Sequence, residues 1–416
     1  MGRVAMPPNP FLHPRLRPLD IRRIVEQGRP FFMLRDPLGL NQHMALVPEE
    51  LGPFLVLCDG TRDSSAIASI FSFRTGVRMT ADDATQVVET LSQALLLEDD
   101  RFAEARAVAE REYRSRPYRE PALAGKAYPA NPKELAAAFD HYCSEAPRAE
   151  IGDDGQVTGI ISPHIDYSRG WPVYAAVWQQ AAKAIAETDL AIVFGTDHSG
   201  SAGMLTLTRQ HYATPWGTLP TARPIVDALA KQLGEAAAFE EELHHRNEHS
   251  IELALVWLHY LLKGRSCEVV PILCGSFHEF VMGEADPAAY HCFEQAMAIM
   301  RETAGKRRTL VIAAADLAHV GPAFGDAEPW RDDKRQQLRQ ADDALLTAIS
   351  KGDAALFFEH IRQVGDRNRV CGMPPIYLAL RALGASRGVA TGYDQCPADE
   401  DGGSLVSIAG AVLYDR

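Results

Sequence analysis

The chain has 416 residues, enough for two domains, and its 46% hydrophobic and 8% aromatic content is ordinary for a globular protein with a substantial core. A formal net charge of −13 and the absence of any run of ~18 apolar residues argue against partners such as nucleic acid or a membrane. Seven scattered cysteines without a CxxC pair exclude a sulfur-only zinc finger, and the Pro-rich segment Met1–Pro14 lacks the apolar core of a secretory signal, so we expect a cytoplasmic protein.

Residues 1–100 are expected to form a small domain of their own. Two short strands, Phe31–Arg35 and His43–Val47, lie on either side of a turn at Asp36–Gly39. Three helices are then predicted: Pro48 to Asp59, Ser64 to Phe73, and one begun by the capping box Thr80–Asp83. A return strand is predicted at Leu95–Leu97. This order is typical of a winged-helix domain.

The charge of this segment bears on what a winged helix would bind. Residues 1–120 contain 16 Arg and no Lys against 17 Asp plus Glu, a nearly neutral balance that is weak for contacts to phosphates. The order of elements and the turn Leu57–Arg62 instead resemble the PqqD-like winged helices that recognise peptides. A packing or dimerisation module is the alternative. Residues 101–121 alternate in charge and are expected to form a solvated linker helix.

From residue 122 to residue 416, apolar runs alternate with amphipathic helices, which predicts a layered α/β/α domain. Strands are predicted at 159–163, 190–195, 268–273, 309–315, 387–392 and 404–413, and helices near 133–144, 172–187, 223–233, 249–263, 286–304, 332–350, 352–364 and 374–384. Asn131 and Pro132 are expected to start the first helix, and Pro172 and Pro374 to lie at first helical positions. Neither GxGxxG nor a Walker lysine motif occurs, so a nucleotide-binding fold is not indicated.

Three of the apolar runs end in Asp or His. Ligands in an open α/β sheet collect outside the carboxyl ends of the strands, so polar side chains at several strand tips predict a shared site. Any one tip could simply terminate its strand, but three together favour the site. The residues at these tips are His164 and Asp166, Asp197 and His198, and Asp316 and His319.

The segment from His245 to Glu252 is the densest polar stretch of the chain. His245 and His249 are four residues apart, and on one helix such a pair can hold a metal ion. The apolar run after Ser250 indicates, however, that a helix begins there. We therefore favour His249 alone in the cleft, as an acid–base group or a hydrogen-bond donor.

Cys371 differs from the other cysteines because turn residues rather than core residues surround it. It stands before Gly372 and a predicted helix N-terminus, where backbone N–H groups and the helix dipole favour the thiolate. Cys371 would therefore suit a metal ligand or a nucleophile.

A metal fits this collection better than a catalytic triad does. His164 and His198 with one anionic ligand would form a three-ligand set with open positions; a carboxylate would make it resemble the sites of non-haem Fe(II) oxygenases. With a thiolate, the expectation moves towards iron or copper and admits zinc. The remaining polar residues would orient the imidazoles or transfer protons: Asp166, Asp197, His249, Asp316 and His319. A Ser-His-Asp hydrolase is less favoured because the sequence has no GxSxG elbow.

Six separated motifs resemble, in their order, those of the Memo family and more narrowly its AmmeMemoRadiSam system protein B type. The resemblance extends over residues 122–416. The motifs are Pro163–Tyr167 with Arg169-Gly170, Gly195–His198, Glu248–Glu252, Val270–Gly275, Ala315–His319 and Cys371-Gly372.

The resemblance implies a fold like that of class III extradiol (LigB-type) dioxygenases and a metal bound by His164, His198 and Cys371. It further implies pocket residues at His249, Asp316 and His319. Asp166 stands where the animal members carry Gly, which leaves the preferred metal and the substrate class open. The AmmeMemoRadiSam type also implies a radical-SAM protein and an AMMECR1-domain protein as partners.

Two functions are consistent with these observations. The first is a metal-dependent redox enzyme with Fe(II) or Cu, or possible Zn, at His164, His198 and Cys371, with His249 as acid–base group and a small molecule or peptide as substrate. The second is a non-catalytic scaffold, in which the N-terminal domain captures a peptide and the α/β domain binds a partner or a metal.

Overall fold

The computed structural model describes residues 13–41, 44–147 and 155–415. The chain divides into two compact units, Met1–Ser115 and Arg116–Arg416. Most of the Pro-rich segment considered for a secretory signal, and His43 at the start of a predicted strand, lie outside the described residues. The predicted domain boundaries at residues 100 and 121 remain predictions.

Over residues 13–41 and 44–115, the first unit combines a small antiparallel sheet, in the order β1-β2-β3, with four helices. Its elements are β1 (Asp20–Glu26), β2 (Arg29–Arg35), β3 (Ala45–Pro48), α1 (Gly52–Leu57), α2 (Ser64–Thr75), α3 (Ala81–Gln93) and α4 (Asp100–Ser115), with a 3-10 turn at Glu49–Leu51. The predicted capping box is confirmed, because Thr80 and Asp83 exchange hydrogen bonds at the start of α3. The winged-helix assignment remains a prediction.

Two features of the first unit differ from the sequence prediction. Strand β1 was not predicted, because its residues lack an alternation of apolar and polar side chains and most of them are exposed. The predicted return strand Leu95–Leu97 is wrong: only Leu97 forms a bridge, to Leu16. Leu95 adopts a left-handed conformation with φ of 59°, which interrupts extended backbone at that point.

The second unit alternates strands and helices along most of its length. Its elements are β4 (Tyr118–Arg119), α5 (Pro132–Glu145), β5 (Val157–Ser162), α6 (Tyr167–Ile185), β6 (Leu190–Thr196), β7 (Leu205–Leu207), β8 (His211–Thr214), β9 (Gly217–Leu219), α7 (Arg223–Leu233), α8 (Glu235–Phe239), α9 (Ser250–Leu262), β10 (Glu268–Cys274), α10 (His278–Val281), α11 (His291–Ala304), β11 (Thr309–Ala314), β12 (His319–Val320), α12 (Asp332–Ser350), α13 (Ala354–Gln363), α14 (Met373–Leu383), β13 (Ser386–Pro397) and β14 (Leu405–Asp415), with 3-10 turns at Glu242–Arg246 and Pro322–Phe324.

An eight-stranded mixed sheet forms the middle layer of this unit, in the order β12-β14-β5-β11-β6-β10-β7 with β13 beside β14. Strands β5, β11, β6 and β10 are parallel, so their carboxyl ends meet at one edge. Successive strand residues belong to different cores: Ile192 packs on one face and Val193 on the other. Helices α5, α6 and α9 contribute to one core, and α7, α11, α13 and α14 to the other. The predicted layered α/β/α fold is confirmed.

All six predicted strands and all eight predicted helices of this unit are present, with ends shifted by a few residues. The predicted place of Pro172 is wrong. The side chain of Asp166 accepts a hydrogen bond from Arg169 N and caps α6, so the helix begins at Tyr167 and Pro172 lies inside it. Within residues 13–41, 44–147 and 155–415, no helix combines the length and the apolar character that crossing a bilayer requires.

Candidate metal centre

His164 lies just beyond the carboxyl end of β5 and is held there by Asp316, which lies just beyond β11. The backbone N–H groups of His164 and Ile165 donate to Asp316 Oδ1 over 2.8 and 3.2 Å. The imidazole Nδ1–H of His164 donates to the carbonyl of Ala314 over 3.0 Å. With only 1% of its surface exposed, His164 is fixed at the bottom of the strand-end crevice.

His198 and His249 are held by a single carboxylate, that of Glu248. Glu248 Oε2 accepts from His198 N over 3.2 Å and from His198 Nδ1 over 2.9 Å. Glu248 Oε1 accepts from His249 N over 2.7 Å and lies 3.0 Å from His249 Nδ1. Glu248 therefore joins the tip of β6 to the start of α9. It also orients both imidazoles.

These contacts determine which ring nitrogens are free to bind a ligand. A carbonyl or carboxylate oxygen can only accept, so the facing Nδ1 of His164, His198 and His249 carries a hydrogen and Nε2 is left for another partner. The ring centroids of the three imidazoles are 4.9–5.3 Å apart. One nitrogen from each ring lies within 4.8 Å of the other two, as close as a shared metal ion requires. The side chains of His198 and His249 are each 37% exposed, whereas His164 is buried.

Cys371 brings a sulfur to the same place. Its Sγ lies 3.3 Å from His164 Nε2. The adjoining Gly372 N–H donates to the carbonyl of Asp316 over 3.0 Å, and a Cβ built at Gly372 would lie 2.2 Å from that oxygen. Thr196 Oγ1 donates to the Cys371 carbonyl over 3.0 Å. Cys371 is thus fixed between the tips of β6 and β11, at a turn that only a residue without a side chain can complete.

The charges in this cluster compensate one another. Burial opposes ionisation of the Cys371 thiol, but the nearby His164 and His319 outweigh it and hold the thiol pKa well below its usual value. Burial likewise opposes protonation of His164, yet the negative charges of Asp316 and Cys371 raise its pKa to about 9. The pKa of His198 is raised by Glu248 and Cys371 against burial. Glu248 itself keeps a pKa well below normal, because the two histidines it holds outweigh its burial.

Two further predicted site residues lie around this cluster. His319 begins β12 with its ring edge-on to Phe324 at 5.1 Å, and its pKa is raised, because Cys371 and Asp316 overcome its burial. The Asp166 carboxylate accepts from Ser168 Oγ and Arg169 Nε at the start of α6. Arg169 extends further to the carbonyl of Pro397 over 3.0 Å. Asp166 is thus part of a helix cap paired with an arginine.

His245 does not join His249, so the less favoured HxxxH metal pair does not form. Helix α9 begins only at Ser250, and His245 lies in the preceding 3-10 turn. The fully buried ring of His245 donates from Nε2 to the carbonyl of Thr206 over 3.0 Å and accepts at Nδ1 from Tyr212 over 2.6 Å. Burial lowers its pKa to about 3, so this histidine is a neutral part of the core.

A second group of possible metal ligands lies in the same region of the chain: Asp197, Glu241 and His244, with ligand atoms within 4.8 Å of one another. These atoms already have partners. His244 Nδ1 bonds Asp197 Oδ2 over 2.9 Å, and Glu241 accepts from the N–H and hydroxyl of Ser201. Asp197, which we expected to orient an imidazole of the main cluster, instead orients His244.

Sequence reasoning named Glu248 in a motif but gave it no role. The only signal in the sequence is its place directly before His249, and one acid beside one histidine is common. Its importance depends on the spatial approach of His198, fifty residues earlier in the chain. Ala314, which acts through its carbonyl alone, left no signal.

Comparison with known proteins places the second unit in context. A family model described as Memo-like protein matches residues 119–412. The chain is similar to a MEMO1 family protein of Aquifex aeolicus, 27% identical over 409 residues that cover 97% of this chain and 100% of that protein. It is also similar to MEMO1 family proteins of Methanopyrus kandleri (28% over 289 residues, 66% and 91%) and Methanosarcina acetivorans (28% over 300 residues, 70% and 96%).

Proposed function

The chain belongs to the Memo family, and we propose that its second unit is a metal-dependent redox enzyme that holds iron or copper at His164, His198 and Cys371. The observation that carries this proposal is the convergence of imidazoles from two strand tips with the Cys371 thiol from the turn before α14, while each imidazole Nδ1 faces an oxygen of Glu248 or Ala314. Outer hydrogen bonds of this kind are how proteins orient histidines towards a metal.

The chemistry of the donors indicates which metals fit. Imidazole and thiolate suit iron, copper and zinc, whereas magnesium and calcium prefer oxygen ligands. Cys371 is already inclined to the thiolate form that a metal requires. When bound, iron or copper would supply one-electron and O₂ chemistry, which protein side chains cannot supply.

The exposure of each residue supports a division of roles. Buried His164 can bind a metal but cannot contact a substrate. His249 is exposed enough to contact a substrate as well. We assign His249 to proton transfer with substrate, with Glu248 fixing its ring. Asp316 positions His164 through two backbone N–H groups, and His319 would exchange protons beside the thiolate. Asp166, in its pair with Arg169, would fix the chain two residues after His164 through the cap of α6.

The proposal extends to partners, substrate and location. A radical-SAM protein and an AMMECR1-domain protein as partners, and a small molecule or peptide as substrate, follow from the family resemblance alone. A cytoplasmic location is supported by seven cysteines that are all free in the structure.

The test is metal analysis of anaerobically purified protein. His164→Ala and Cys371→Ala should each lose the bound metal, while His291→Ala, which removes an exposed histidine from α11, should retain it. All three proteins should show the same tryptophan fluorescence, because the five tryptophans lie in the second unit and report its folding. Unchanged metal content in both site variants would overturn the assignment.

A second candidate function, peptide capture by the first unit, is favoured by one observation. A cavity of about 460 Å³ lies between β3 and α3, lined mainly by apolar side chains that include Leu46, Leu51 and Val87. Leu46 is 42% exposed there. An apolar groove beside a strand suits an extended peptide, which can add to the strand edge.

An array of short peptides probed with the full chain tests this candidate. Leu46→Asp should abolish binding, and Val56→Asp, an exposed apolar position outside the cavity lining, should leave it unchanged. Equal peptide binding by both variants would contradict peptide capture in this cavity. In a separate binding assay, a chain that retains duplex DNA and no peptide would contradict the argument from the nearly neutral charge of residues 1–120.

A further inference from the structure

Arg119 and Glu252 form a buried ion pair that the proposed function does not use. Their side chains are 0% and 1% exposed. Arg119 belongs to the two-residue strand β4, and Glu252 lies in the first turn of α9. Burying two charges costs desolvation free energy, and an apolar pair of similar volume often stabilises a protein as well or better. Stability alone is therefore a poor reason for this pair.

The contacts of Arg119 extend beyond its carboxylate partner. Nη1 donates to Glu252 Oε2, Nε donates to the carbonyl of His245 over 2.8 Å, and Nη2 donates to the carbonyl of Glu248 over 2.9 Å. The guanidinium thus holds three points between residues 245 and 252. Its rigid fork of five donors suits this task, and an ammonium group cannot reproduce it.

The stretch that Arg119 holds has little regular structure of its own. The 3-10 turn ends at Arg246 and α9 begins at Ser250, so residues 247–249 belong to neither element. Backbone hydrogen bonds to the His244 carbonyl hold the N–H groups of Asn247 and Glu248, and the Glu248 carbonyl is held by Arg119. These residues include Glu248 and His249, on which the orientation of two imidazoles in the metal centre depends. A displaced Glu248 backbone would carry its carboxylate away from His198.

Glu252 connects the pair to a second stretch of chain. Its Oε2 also accepts from Ala122 N over 2.9 Å, and its Oε1 accepts from Leu123 N over 2.9 Å and from Tyr128 Oη. Tyr128 contacts the same carboxylate as Arg119 but reaches the other oxygen. This arrangement provides a matched control within one network.

We propose that Arg119 is a positioning residue of the metal centre, one that sets Glu248 and His249 through the backbone carbonyls of residues 245 and 248. Its effect on metal binding rests on the function proposed above. The positioning itself is a property of the metal-free chain. The two ideas can therefore fail separately.

The experiment compares Arg119→Lys with Tyr128→Phe in the full, metal-free chain by hydrogen exchange and mass spectrometry. In Arg119→Lys, the amides of His198, His249 and Ser250, which donate to Glu248, should exchange about tenfold faster, as expected for loss of one net hydrogen bond. In Tyr128→Phe, faster exchange should be confined to the amides of Ala122 and Leu123. Wild-type exchange at residues 249 and 250 in Arg119→Lys would overturn the proposal, as would equal acceleration there in Tyr128→Phe.

A second variant covers the case in which Arg119→Lys does not fold. The double substitution Arg119→Met with Glu252→Met removes both buried charges together, which folded proteins tolerate better than one unpaired charge. Faster exchange at residues 249 and 250 in this variant supports positioning, and unchanged exchange contradicts it.

Metal binding provides the second readout. Copper affinity, from competition with a chelator, should fall about 10–100-fold in Arg119→Lys, the usual effect of losing an outer partner, and the copper EPR spectrum should change. Tyr128→Phe should keep both the affinity and the spectrum. If wild-type protein binds no metal while the exchange pattern holds, the proposed enzyme function fails and the positioning role of Arg119 stands.

Discussion

Two clusters of possible metal ligands in the second unit differ in how their ligand atoms are hydrogen-bonded. Asp197 and His198 are neighbours in the chain, yet Asp197 belongs with Glu241 and His244, and His198 with His164 and His249. In the first group, the ligand atoms already have partners: His244 bonds Asp197 directly, and Glu241 accepts from Ser201. In the second, each Nδ1 faces an oxygen of Glu248 or Ala314, and one nitrogen of each ring lies within 4.8 Å of the other two. The outside partners of the second group therefore favour it over the first as the metal site, because they leave ring nitrogens available for a metal.

Removing one histidine from each group tests this contrast with the largest expected effect. His198→Ala should weaken metal binding by more than the ~100-fold that loss of an outer partner causes, because it removes a ligand. His244→Ala should change the affinity little. The measurement is metal content and chelator competition on both variants. A larger loss in His244→Ala would place the metal in the group of Asp197.

Changing one carboxylate in each group should have the next largest effect. Glu248→Gln removes the charge that holds His198 and His249, and we expect a 10–100-fold loss of metal affinity. Glu241→Gln, in the other group, should keep wild-type affinity. Equal affinities for the two variants would show that Glu248 is not the support of the centre.

The pH dependence of binding sharpens the contrast further. With its pKa at about 9, His164 carries a proton at neutral pH that a metal must displace. Affinity should therefore rise as the pH increases from 6 to 9, by up to about tenfold per pH unit for this one proton. Chelator competition across this range measures the slope. Binding that tightens towards low pH would contradict metal ligation by His164.

A change at the buried carboxyl of Asp342 should have the smallest effect on the centre. Asp342, on α12, accepts from Tyr393 Oη over 2.8 Å, and burial raises its pKa from 3.8 to about 6. Because its pKa is higher in the folded state, Asp342 holds its proton more tightly when the protein is folded. Its contribution to stability is therefore complete below pH 3.8 and is lost as the pH rises through about 6. The shift corresponds to about 3 kcal/mol of unfolding free energy at neutral pH.

Asp342→Asn should remove this decline and leave metal affinity unchanged. Urea unfolding of both proteins at pH 4 and pH 7, followed by tryptophan fluorescence, isolates the second unit. A decline between these pH values that is as steep in Asp342→Asn as in wild type would show that another group causes it.

The sequence predicted the middle of the molecule better than its edges. Continuous apolar runs such as Leu190–Gly195 can be buried only as central strands, and they were assigned correctly. Short edge elements such as β7 and β12 have two or three residues each, too few for any periodicity. The prediction that Pro172 starts α6 failed because proline is common in the first turn of a helix but is not confined to it. The cap formed by Asp166 starts the helix earlier.

The sequence predicted those residues of the candidate site that lie directly at the end of a strand. His164, His198 and Asp316 each follow a strong strand signal, and parallel strands bring those ends to one edge. His249 as a member of the imidazole group, and Glu248 as its support, depend on how a loop returns to that edge. Such an approach has no local signature.

Arg119 follows the end of α4 by only four residues, and the match to the Memo-like family begins at this residue. A protein trimmed at the predicted boundary of residue 122 would keep all three proposed ligands and yet lack the side chain that anchors residues 245–252. To produce the second unit alone, or to fuse it to a different domain, the cut should be made before Tyr118. Residues 118 and 119 are therefore best counted as the first residues of the second unit.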